Sequence, residues 1–201
     1  MIKRGENVLI TNDIYKKKLN NYGNKDTKLS RDVKINKLYR IINGLYETDS
    51  TTPGYLLAGS IYGPSYISFD YALSFYGMLP ERVTTITCAT NNKKKIKEYN
   101  TDFGVFTYRD VPILAYPEEI VLKVEGEYSY QIASREKALC DKLFTLSPLN
   151  NYAELENMLF NDLRIDIDEF NKLDKSKIEK LSKLYHSSNV SLLSRYIRRG
   201  I

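Results

Sequence analysis

Apolar positions recur along the whole chain, and their spacing divides it into a helical head, a strand-rich middle and a helical tail. Over 11–22, Ile14, Tyr15, Leu19 and Tyr22 fall on one side of a helix. Thr11, Asn12 or Asp13 can cap it, and Gly23 is a natural stop. A second helix is expected over about 26–36, capped by Asp26. Leu29 and Val33, four apart, face inward there, and Thr27, Lys28, Arg31 and Lys34 lie largely on the opposite side. Two apolar strands then flank Asn43-Gly44. That dipeptide suits a type I′ hairpin turn, in which both central residues need φ > 0.

Residues 48–53 read as a loop. A short helix over 54–62 carries Leu56, Leu57, Ala58 and Ile61, and Gly63-Pro64 breaks it. Ser65–Ile67 is extended, and Ser68 caps a helix of about 69–76 that Gly77 ends. Thr85–Ala89 is a strand, and residues 93–132 are mostly strand, in segments 94–99, 103–109, 119–124 and 127–132. Ser134 caps a helix to about 145, with Ala138, Leu139, Leu143 and Phe144 inward. The tail predicts helices over about 151–159, 166–172, 174–185 and 189–199, with Asp174 and Ser188 as caps.

Helix, tight turn, basic helix and hairpin is the order of a winged helix-turn-helix, whose second helix enters the major groove. Its first helix then falls in residues 1–10 or is absent. The expected fold class is α+β. A winged helix-turn-helix spans 1–48, a mixed α/β domain 49–148, and a helical C-terminal subdomain 149–201.

Composition narrows the chemistry. The chain has 201 residues, 42% of them hydrophobic, enough for one or two domains with a buried core. No apolar run approaches the ~18 residues of a membrane span, and a cytoplasmic protein is expected. One histidine and two cysteines leave little for a zinc centre or a catalytic triad. There is no phosphate-binding Walker A motif and no G-x-G-x-x-G. His186 reads as a surface or capping residue, and Cys88 and Cys140 as buried ones. Asp166, Asp168 and Glu169 read as helix-start acids. The triplets Asp26-x-Lys28 and Asp32-x-Lys34 resemble a metal-nuclease pattern but fall in a predicted helix, whereas that chemistry wants a strand. No catalytic residue, cofactor or metal is therefore expected.

Charge points elsewhere. Residues 1–47 hold eleven Lys/Arg against five acids, a net +6, while the other 154 residues are net −1. A basic head on a near-neutral body suits phosphate binding. Lys28, Arg31 and Lys34 can neutralise phosphates or reach guanine edges, and Thr27 and Ser30 can contact bases or sugars. Lys37 and Arg40, at the base of the hairpin, can hold backbone. Lys93-Lys94-Lys95 reads either as a second phosphate patch or as the solvated end of a hairpin.

Three segments resemble the AbiEi-type antitoxins of abortive-infection, type IV toxin–antitoxin systems. Ile42-Asn43-Gly44-Leu45-Tyr46 resembles the family's wing end, with Asn43 where the family carries a basic residue. Pro64 to Glu81, with Tyr66-Ile67-Ser68, Ala72-Leu73 and Gly77-Met78-Leu79-Pro80, is similar to its next segment, and Thr85–Thr90 fits the strand that follows. Ile132 to Asp141, containing Glu136-Lys137-Ala138-Leu139 and Asp141, is similar to its helix start. The resemblance covers roughly 25–145. It implies a non-enzymatic antitoxin and autorepressor, with a winged helix that binds operator DNA, in the form of inverted repeats, upstream of its own operon. The implied functional partner is a nucleotidyltransferase-like toxin. A DNA-binding regulator without a toxin, or a protein-interaction module without specific DNA binding, are the alternatives. The Ala133–Asp141 segment reads as structural, with Arg135, Glu136, Lys137 and Asp141 as exposed helix charges.

Overall fold

A computed structural model describes residues 9–20 and 22–200. In the head, strand β1 (Ile10–Thr11) runs into helix α1 (Asn12–Lys18), whose cap Thr11 accepts a hydrogen bond from the Ile14 amide at 3.3 Å. Helix α2 (Lys25–Lys34) starts one residue before the expected 26, and its cap lies two residues before Asp26. Asn24 is its cap, accepting from the Thr27 amide at 3.0 Å, and Asp26 lies in the first turn against the positive end of the helix. Helix α1 stops at Lys18, well short of Gly23, with Lys16, Lys17 and Lys18 against its negative end. Strands β2 (Tyr39–Ile42) and β3 (Leu45–Glu47) complete an antiparallel sheet of order β1-β3-β2. Ile10, Tyr15, Leu29, Leu38 and Tyr46 form its core, with Leu19 and Val33 against them. The helix expected in residues 1–10 falls mostly outside the described residues, and Ile10 itself is strand.

The hairpin turn differs from expectation. Gly44 has φ +83°, but Asn43 stays out of the left-handed region, so the turn is not type I′. The pairing slips between Arg40 and Ile42, and such a bulge adds local twist, leaving one left-handed residue to close the hairpin.

The body is a six-stranded mixed sheet of order β6-β7-β5-β4-β9-β8. Its strands are β4 (Tyr66–Ile67), β5 (Ile86–Thr90), β6 (Lys97–Thr101), β7 (Gly104–Asp110), β8 (Ile120–Glu125) and β9 (Tyr128–Ala133). The β5–β7 and β4–β9 pairs are parallel and the others antiparallel. The expected helix over 54–62 divides into a 3-10 turn, Gly54–Leu57, and α3 (Ala58–Ile61). Close packing enforces the tight turn: a Cβ on Gly54 would collide with the Phe103 carbonyl oxygen. Helix α4 (Phe69–Phe75) follows β4, and α5 (Arg135–Phe144) follows β9.

The tail holds α6 (Tyr152–Glu156) with a π turn Asn157–Asp162, then α7 (Ile167–Asn171), α8 (Lys175–Tyr185) and α9 (Ser188–Arg199). Asp166 and Asp174 cap α7 and α8 through their carboxylates, as helix-start acids do. The cap of α9 falls on Ser187 and makes no side-chain hydrogen bond, so Ser188 is the first helical residue and not the cap. One hydrophobic cluster runs from Ile41 to Ile197, so the tail helices share the core of the large sheet. Ile41 and Leu45 of the head reach into that cluster. Buried Glu47 fastens the junction by accepting from the Tyr128 hydroxyl at 2.5 Å and from the Thr48 amide at 2.6 Å. No helix among the described residues is long and apolar enough to cross a membrane.

Candidate nucleic-acid interface

Helix α2 is amphipathic for a local reason. Leu29 and Val33 face the head's core, so Thr27, Ser30, Arg31 and Lys34, at i, i+3, i+4 and i+7, share the opposite face and are exposed. Arg31 and Lys34 form no ion pair with any described residue, so both charges face solvent.

Lys28 behaves differently. It lies one step round the helix and pairs with Asp32 on the next turn. Its ammonium also sits 5.9 Å from the centre of the Tyr22 ring. Asp32 is only 7% exposed and accepts a second hydrogen bond, 2.5 Å, from the Tyr15 hydroxyl of α1. Burial by itself would raise the Asp32 carboxyl. The hydrogen bonds from Lys28 and Tyr15, with the charges of Lys28 and Lys37, outweigh it and hold the group below its ordinary value. The Tyr15 phenol is pushed up, first by burial and then by Asp32. Lys28 thus serves the α1–α2 angle, a task its position in a basic helix did not reveal.

Lys37 and Arg40 are exposed where the chain leaves α2 and enters β2. The Lys37 amide is held by the Asp32 carbonyl at 2.8 Å, and Arg40 donates to the Asn43 side chain at 3.3 Å. All the sequence-derived contact residues therefore lie in one small unit. Thr27, Ser30, Arg31 and Lys34 form one stripe, Lys37 and Arg40 flank the hairpin, and Lys28 is engaged within the unit. The Lys93–Lys95 run is structured by Asp110, whose Oδ2 accepts from the Lys93 and Lys94 amides at 2.7 and 2.6 Å. The Lys93 ammonium donates to the Gly63 carbonyl at 3.1 Å.

A second charged cluster lies inside the body, where exposed charges were expected on α5. Lys137 and Asp141 are both fully buried, 3.3 Å apart. Lys137 Nζ donates to the Ala115 carbonyl at 2.7 Å and to Tyr185 Oη at 2.6 Å. Asp141 accepts from Tyr185 at 2.5 Å, Ser68 at 2.6 Å and Tyr66 at 3.0 Å. Glu136 is buried too and accepts from the Asp174 amide at 3.0 Å, while Arg135 pairs with Glu169 rather than Asp141. The helix is covered on nearly all sides, so these groups could not be solvated. Burial pushes the Lys137 ammonium below its ordinary value against the pull of Asp141. Burial and Asp141 push the Tyr66 and Tyr185 phenols up. Tyr66 and Ser68 belong to the β4–α4 segment, so two of the sequence segments quoted for the resemblance meet at Asp141. Every member of this network is buried.

A cleft of about 290 Å³ opens beside α4 and α5, lined by Phe69, Cys88 and Ile96 as well as by Asp70, Thr87, Thr107, Arg109 and Lys142. Lys142 is neutralised by Asp70 at 2.8 Å. Cys88 and Cys140 are buried and their thiols are pushed up by burial, which removes them as nucleophiles. His186 is exposed with φ +47° at the C-terminal end of α8. Among the described residues no three His, Cys, Asp or Glu converge as metal ligands. No protein-family model matches the chain, and no curated protein matches it.

Proposed function

We propose that the chain is a DNA-binding autorepressor, with the head acting as a winged helix-turn-helix. The observation that carries this reading is the exposed stripe of Thr27, Ser30, Arg31 and Lys34 on α2, whose two cations have no partner among the described residues. The order β1-α1-α2-β2-β3, with β1 paired to β3, supports it. Helix α2 enters the major groove, and the β2–β3 hairpin, with Lys37 and Arg40 at its base, lies on the backbone. The antitoxin half of the proposal rests on the resemblance. The body counteracts a nucleotidyltransferase-like toxin encoded beside it, in a cell that uses the pair against phage.

Fluorescence anisotropy tests the DNA half. The protein's own upstream region is compared with a scrambled duplex at two salt concentrations. Preference for the native duplex, retained at the higher salt and lost in an Arg31→Ala/Lys34→Ala double variant, is the expected result. Equal, salt-sensitive binding to both duplexes would reduce the head to a generic basic surface, and no binding would leave a protein-interaction module. Co-expression with the neighbouring gene product tests the antitoxin half through relief of growth arrest.

A further inference from the structure

Arg109, on β7, carries a charge that the fold leaves uncompensated. Its guanidinium forms no hydrogen bond or ion pair with any described residue, whereas Arg135 and Arg164 pair with Glu169 and Glu81. Two carboxylates stand near it in the strands, and both are engaged elsewhere. Glu98, cross-strand from Thr107, accepts from the Asn100 side chain at 3.1 Å. Asp110, the next residue, falls on the opposite face and accepts from the Thr90 hydroxyl and from the Lys93 and Lys94 amides.

Arg109 lines the cleft of about 290 Å³ beside α4 and α5. Thr87 and Thr107 are side by side in the parallel β5–β7 pair, and Arg109 shares the face of Thr107, two residues along. The Thr87 hydroxyl is committed, donating to the Ser68 carbonyl at 2.6 Å and accepting from the Tyr71 amide at 3.0 Å. The Thr107 hydroxyl bonds to no described residue. Ile96, 64% exposed, and the buried Phe69 supply apolar walls. Phe69 opens α4 at φ +53°, a conformation that a bulky side chain rarely adopts and that clusters at ligand sites. Lys142 and Asp70 also line the cleft and cancel each other's charge at 2.8 Å. One free positive charge therefore remains, beside a free hydroxyl and an apolar wall.

We infer that this cleft binds a small organic carboxylate with an apolar body. The Arg109 guanidinium and the Thr107 hydroxyl hold the carboxylate, and Ile96 and Phe69 take the body. A guanidinium presents parallel N–H donors that match the two oxygens of a carboxylate. A single negative charge balances the lining, whereas a phosphate dianion would bring a surplus up to Asp70. The volume of about 290 Å³ lies at the small end of ligand sites, ~300–1,000 Å³, and suits a one-ring compound. Binding here does not depend on the DNA reading, since the cleft belongs to the body.

Amide chemical-shift mapping of the full chain by NMR, titrated with benzoate, tests this. Benzamide and benzamidine, the neutral and cationic compounds of similar shape, and inorganic phosphate are the comparisons. Benzoate is expected to bind with a dissociation constant of about 1 mM, in keeping with so small a ligand. Its shifts should centre on Thr107, Arg109 and Lys142. Benzamide should bind about tenfold more weakly, and benzamidine should not bind. Arg109→Gln should weaken benzoate about tenfold. The melting temperature should stay unchanged, because the side chain has no partner to lose. Arg31→Ala/Lys34→Ala should leave benzoate binding intact, which separates the cleft from the basic head. Equal binding of benzoate and benzamide, undiminished binding by Arg109→Gln, or no shift in the cleft at saturating benzoate would overturn the inference. Inorganic phosphate occupying the cleft more tightly than benzoate would overturn the carboxylate assignment.

Discussion

Replacing Asp141 by Asn changes one atom in the centre of the body and should be among the costliest conservative substitutions in the chain. Asp141 Oδ1 faces Lys137 at 3.3 Å and accepts from Tyr185 at 2.5 Å, and Oδ2 accepts from Ser68 and Tyr66. Asparagine keeps one acceptor oxygen and puts an NH₂ donor against either a pair of hydroxyls or an ammonium. Lys137 is left fully buried without its counter-ion. Removing one partner of a buried ion pair costs ~3–5 kcal/mol. For a chain of this length that lowers Tm by roughly 6–20 °C. In urea, with a slope of ~1–3 kcal/mol/M, the midpoint should fall by about 1 M or more. Lys137→Met should cost less, because Asp141 keeps three hydroxyl donors and the lysine's own desolvation disappears. The double variant should then depart from additivity by at least ~1 kcal/mol, since the two groups are in contact. Urea unfolding followed by circular dichroism, at unchanged slope, measures all three. A loss below ~1 kcal/mol for Asp141→Asn, or strictly additive single changes, would refute the view that this pair organises the core.

Gly54→Ala forces a Cβ onto the Phe103 carbonyl oxygen and the Ile86 side chain, and should destabilise by ~1–3 kcal/mol in thermal melts. Asp32 titrates below 3.8 in the fold, so its contribution is complete above that value and disappears as pH falls through the lower folded one. Acid unfolding of the wild type and Asp32→Asn should therefore differ at neutral pH and converge in strong acid; a constant difference would contradict the assignment. If Arg31 and Lys34 each hold one phosphate, losing both should reduce the slope of log affinity against log salt by about 1.8. Lys28→Ala should instead lower the melting temperature of the head while changing that slope less, because its charge is already spent on Asp32.

Much of the secondary structure was legible because its signals are local. Ser134 accepts from the Lys137 amide, Asp174 caps α8, and Gly126 turns the β8–β9 hairpin with φ +58°. The amphipathic pattern of α2 identified its exposed face, since period and burial agree there. Position on that face did not identify Lys28, because an i,i+4 ion pair and a solvated lysine look the same until Tyr15 of another helix closes on Asp32. The same ambiguity misread α5, whose charges at Glu136, Lys137 and Asp141 resemble a solvated surface. The available signal was their setting: Ala138, Leu139, Cys140 and Leu143 leave the helix little polar face to expose.

Helix periods, caps, turns and the charge contrast between head and body were thus determined by the chain's own order of residues, through interactions spanning a few positions. Tertiary structure alone decided the strand order, in which the two-residue β4 sits centrally between β5 and β9. It also decided which charges are buried and which strand is left as an open edge. Those outcomes depend on residues as far apart as Ser68 and Asp141, or Lys137 and Tyr185, and on the low dielectric that their packing creates. No local pattern encodes a partner that only the folded chain brings within reach.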